Sequence, residues 1–81
     1  MNATVEQMTF GEMHGYTKRF NEIMASKAPQ DIKDVRLASL MDDLEAAYQI
    51  PLISGKRLAD FEANHPELMQ LYRTVSLARS L

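Results

Sequence analysis

Apolar residues recur along this chain at spacings of three and four, the period that gathers side chains on one face of an α-helix. Met13, Tyr16, Phe20, Ile23 and Met24 follow that period and predict a first helix over residues 10–26. Thr9 stands at the N-cap, where its hydroxyl can accept a first-turn N–H, and Glu12 three residues on completes a capping box. Met8 and Met13 are placed for a hydrophobic staple across that cap. Gly11 and Gly15 each cost up to about 1 kcal/mol relative to Ala in a helix, so either tertiary packing holds the first turns or Gly15 marks a close helix–helix approach. Residues 1–8 are expected as a frayed or irregular lead-in.

Ala28-Pro29 ends this helix, because the residue before proline is pushed out of the helical region and proline has no N–H to donate. A second helix is predicted from Gln30 or Asp31, with Asp34 adding negative charge at the positive end of the macrodipole. Leu37, Leu40, Met41, Leu44, Ala47 and Tyr48 form its stripe, Asp42, Asp43 and Glu45 its solvated face, and Pro51 its limit. Ile50-Pro51-Leu52-Ile53 reads as a buried connector. Ser54 is a candidate cap for a short helix over residues 56–63, with Leu58 and Phe61 facing inward. Asn64-His65-Pro66-Glu67 signals a restart, since proline is favoured at the first helical position. In the last helix Leu68, Leu71, Tyr72, Val75 and Ala78 form the stripe, while Met69, Leu77 and Leu81 lie partly outside it.

These elements predict an all-α fold, a bundle of three longer helices and one short helix with the first two antiparallel across a short connection. Residues 1–81 make one domain, since domains run at roughly 100–200 residues. At 46% hydrophobic and 25% charged the chain has the composition of a folded globule. With no cysteine it has neither disulfides nor thiolate chemistry, which suits a reducing compartment, and the cytoplasm is the expected location. No apolar run approaches about 18 residues, so no membrane span is expected. The N-terminus carries Glu6 and no basic segment before an apolar core, which argues against a signal peptide. The net charge of −2 divides into zero over residues 1–28, −3 over 29–53 and +1 over 54–81. No segment concentrates the lysines and arginines that nucleic-acid binding through phosphates requires.

Catalytic constellations find little support. His14 and His65 fall in different segments with no second ligand at helical spacing, so neither a metal nor another cofactor is expected. His14 reads as solvated and His65 as a helix boundary. Asp42, Asp43 and Glu45 point in different directions around their helix, and Asp31 and Asp34 are accounted for by the helix start. Ser26, Ser39, Ser54, Ser76 and Ser80 lack a nucleophile-elbow context. Ser54-Gly55-Lys56 lacks the first glycine and the spacing of a phosphate loop. The expectation is a protein without enzymatic activity.

Two local patterns bear on function. Leu71-Tyr72-Arg73 resembles the tripeptide of the LYR-motif proteins, small mitochondrial helical adaptors for acyl carrier protein and iron–sulfur assembly. There the tripeptide opens the first helix, whereas here three residues match in the last helix, so the tripeptide assigns no family. Residues 46–61 have the outline of a helix-turn-helix, with Lys56 and Arg57 early in its second helix. The acidic first helix and the apolar, proline-containing turn favour an ordinary helical corner. The expected role is therefore a small regulatory or adaptor module that binds another protein or itself as a homodimer, with a DNA-associated regulator as the alternative. Six methionines supply an adaptable apolar surface. The candidate partner site is Tyr72, Arg73, Leu77, Arg79 and Leu81 on the last helix, since Tyr and Arg are enriched at binding hot spots.

Overall fold

The computed structural model describes residues 7–80. Four helices follow one another: α1 Phe10–Ala25, α2 Gln30–Tyr48, α3 Lys56–Asn64 and α4 Pro66–Leu77, with no strand among the described residues. The all-α bundle predicted from the periodicity is the fold observed. Of the expected lead-in, residues 1–6 lie outside the described residues. Gln7 and Met8 are tied down, Gln7 by donating from Nε2 to the Asn64 carbonyl at 2.8 Å and Met8 by packing against the core.

The capping box of α1 is present. Glu12 N–H donates to Thr9 Oγ1 at 3.1 Å, and Thr9 N–H donates to Glu12 Oε1 at 2.8 Å. Neither Gly11 nor Gly15 has anything within 4 Å of where a Cβ would stand, so Gly15 marks no close approach within this chain. α1 and α2 run antiparallel: Lys33 Nζ donates to the Met24 carbonyl, Arg19 pairs with Asp43, and Tyr16 meets Tyr48 edge-on at 6.1 Å. α4 also runs antiparallel to α2, with Tyr72 opposite Glu45 and Ser80 opposite Asp34. α2 is thus the middle helix, and α1 and α4 flank it parallel to one another.

This position explains why the stripe of α2 is the most deeply buried. Leu37, Leu40 and Leu44 are fully enclosed, as is Val75 of α4. Ile23, Met41, Tyr48, Ile50, Phe61, Leu68, Met69 and Leu71 complete the core, and Met13, Tyr16 and Phe20 pack at its margin. Several expectations are corrected. Met24 and Ala47 are exposed, because each sits at the edge of its stripe beyond the reach of the neighbouring helix. Met69 is buried on the side of α4 that receives α3, where Arg73, one turn on, pairs with Glu62.

The second helix ends before Pro51 can act. Gln49 turns left-handed, with φ 54°, and Ile50 N–H closes back on the Glu45 carbonyl at 3.3 Å, the six-to-one bond of a Schellman-type end. That turn drives Ile50 into the core, but Leu52 and Ile53 then run off the end of the bundle at 72% and 83% exposure. Only the first residue of the expected buried connector is buried. Ser54 does not cap α3. Gly55 holds the N-cap position at φ 139°, a backbone that side chains resist, and no side chain bonds to the helix start. His65 alone separates α3 from α4. It stacks on Phe61 with ring centroids 4.3 Å apart, and among the described residues its buried Nδ1 has no hydrogen-bond partner.

Candidate functional site

The four described residues of the expected partner site, Tyr72, Arg73, Leu77 and Arg79, are placed differently. Tyr72 points inward and donates to Glu45 Oε2 at 2.5 Å; burial, followed by that bond, pushes its phenol up to about 12. Arg73 pairs with Glu62, so its charge fastens α3 to α4. Arg79 folds back over Met41, with Nη1 3.5 Å from Sδ and Nε buried without a partner among the described residues. Leu77 stands 85% exposed, and Leu81 lies outside the described residues. All three side chains of Leu71-Tyr72-Arg73 are thus engaged within the fold, in the core, with Glu45 and with Glu62.

A different surface brings apolar groups together. Because α1 and α4 both lean on α2 more than on each other, a groove of about 250 Å³ opens between them. Met13, Phe20 and Leu71 form its apolar wall, and Thr17, Asn21, Glu67, Gln70 and Thr74 its polar rim. Helical spacing extends it at both ends. Phe10, 86% exposed, lies three residues before Met13 and seven before Thr17, and Met24, 38% exposed, lies four after Phe20. On α4, Leu77 follows Gln70 and Thr74 at seven and three residues along the same rim. The stripe of α1 was legible in the sequence, but its role as a wall was hidden, because periodicity shows that a face is apolar and not which neighbour stops short of covering it.

Asp34, expected only to add charge at the helix start, is instead a buried hydrogen-bonded carboxylate. It is 5% exposed, and its carboxylate accepts from Ser80 N–H at 3.1 Å, Ser80 Oγ at 2.5 Å and Gln30 Nε2 at 2.8 Å. The Ser80 hydroxyl, then Gln30 and the Ser80 N–H, hold the carboxyl below the ordinary aspartate value. Its register was visible, since residues 34, 37, 41, 44 and 48 continue the stripe at alternating spacings of three and four. Of the other candidates, His14, Asp42 and Asp43 are exposed, and Asp43 pairs with Arg19.

In the helix-turn-helix outline, seven residues lie between α2 and α3, against roughly three or four in that motif. α3 packs on α4 and not on α2, and Lys56 pairs with Asp60. Among the described residues no three His, Cys, Asp or Glu side chains gather as a metal site, and no helix is long and apolar enough to cross a membrane. No family model, curated protein or solved structure matches this chain.

Proposed function

We propose that this chain is a small non-enzymatic adaptor that acts through protein–protein contact, receiving an amphipathic helix in the groove between α1 and α4. The helix comes from another protein or from a second copy. One observation carries the reading: a groove floored by buried Leu71 and half-buried Met13 and Phe20 is continued at its ends by Phe10 and Leu77, 86% and 85% exposed. An amphipathic helix offers apolar side chains at the matching spacings of three, four and seven. A binding role also fits the disposition of the polar groups, since Glu12 serves a cap, Glu45 a phenol and Asp34 a neighbouring serine. The absence of cysteine suits a reducing compartment, and we take the cytoplasm as the place of action.

The test combines Phe10→Glu with Leu77→Glu, because both side chains are exposed and surface changes usually cost within about 0.5 kcal/mol each. Sedimentation over a concentration series reads self-association, and capture from native cytosol reads other partners. The variant is expected to melt close to the parent and to lose the complex. A folded double variant that retains full binding would move the partner site away from the groove, and a parent that neither associates nor captures would remove the adaptor reading.

A further inference from the structure

Beyond Leu77 the chain continues along α2 and straps itself to it. Ala78 packs at the margin of the core, Arg79 covers Met41, and Ser80 gives both its N–H and its hydroxyl to Asp34. Asp31, Val35 and Ala38 line a groove of about 430 Å³ alongside this strap. A carboxylate taken out of water needs donors to offset its lost hydration, and Ser80 supplies two of the three that Asp34 has. The polar fastening of the strap is therefore the pair of bonds from Ser80 to the Asp34 carboxylate. Ser80 is itself exposed and follows the helix end, where the backbone is open to an enzyme.

We propose that Ser80 is a phosphorylation site, and that a phosphoryl group there releases residues 78–80 from α2. Transfer from a nucleoside triphosphate forms a bond between phosphorus and Ser80 Oγ. The bond from that phosphorus to the nucleotide breaks, the nucleoside diphosphate leaves and the hydroxyl proton is lost. Two things change at once. The hydroxyl donor to Asp34 disappears, and a group carrying nearly two negative charges takes its place against a carboxylate. Arg79, whose Nε has no partner among the described residues, is the adjacent cation that can pair with the phosphate once the strap is free. Release exposes Asp34 and the flank of Met41, an acidic and apolar surface separate from the groove between α1 and α4. The inference does not depend on that groove having a partner.

The experiment uses the full chain carrying phosphoserine at residue 80, compared with Ser80→Ala and with the same pair in an Asp34→Asn background. Amide hydrogen exchange is read at residues 75–80 and 34–41, with far-UV circular dichroism as the check on folding. In the parent background the phosphorylated chain is expected to exchange about tenfold faster there than Ser80→Ala, while its helical content is kept. In the Asp34→Asn background the repulsion is gone, and the two should exchange alike. Equal exchange in the parent background would overturn the latch, and an excess that persists after Asp34→Asn would show that the carboxylate is not what the phosphate opposes.

Discussion

Leu44→Ala tests whether α2 is the middle layer of this fold. Leu44 is fully enclosed in the C-terminal third of α2, between the helices that flank it. Truncation removes three carbons, and at about 0.8 kcal/mol per buried carbon the transfer loss alone is about 2.4 kcal/mol. A cavity that neighbours cannot fill raises the cost, and Leu→Ala changes in packed cores span about 2–5 kcal/mol. Helices on both sides restrict collapse, so about 3 kcal/mol is expected. At roughly 0.05–0.15 kcal/mol per residue the whole domain holds about 4–12 kcal/mol, so this one change removes a large share of it. Urea unfolding followed by circular dichroism gives the difference as a shift in midpoint at constant slope. Leu77→Ala is the matched control: the same atoms removed from an 85% exposed position should cost within about 0.5 kcal/mol. Equal losses at the two positions, or a loss below about 0.5 kcal/mol at Leu44, would refute the layering.

Gln49→Gly should stabilise the protein by about 0.5–1 kcal/mol, because glycine adopts the left-handed turn at φ 54° without steric cost; an unchanged or lower urea midpoint would count against that account of the helix end. Alkaline titration should show stability falling between about pH 10, where the unfolded phenol ionises, and about 12, to which Tyr72 is raised. Over that window the folded state keeps a proton that the unfolded state releases, so rising pH favours unfolding. Tyr72→Phe should flatten the decline, and an unaltered profile would show that ionisation of Tyr72 does not set it.

How much could be read in the sequence depended on whether a signal was local. The start of α1 was legible because Thr9 and Glu12 bond to each other three residues apart, and the stripe of α2 because its leucines repeat along the helix. Pro66 marked the start of α4 for the same reason. Gln49 was not legible, since glutamine carries no signature of a left-handed turn and Pro51 offered a simpler stop. Leu52 and Ile53 misled because an apolar residue beside a proline looks the same whether the chain turns under the bundle or off its end. Arg73 and Arg79 looked like free surface cations. Their partners, Glu62 on α3 and Met41 on α2, are set by tertiary packing, which no spacing within α4 encodes.

The middle position of α2 also bears on how the chain assembles. The α1–α2 hairpin is local in sequence and closes across only the four residues 26–29, so little chain entropy opposes it. Yet that hairpin covers one flank of α2 alone. Met41, Glu45 and Asp34 find their partners on the segment from Tyr72 to Ser80, between 27 and 46 residues further on. A nascent chain lacking α4 therefore carries a formed helical pair with an open apolar flank, the kind of intermediate that aggregates or awaits a chaperone. Cooperative folding must wait for the last helix to arrive.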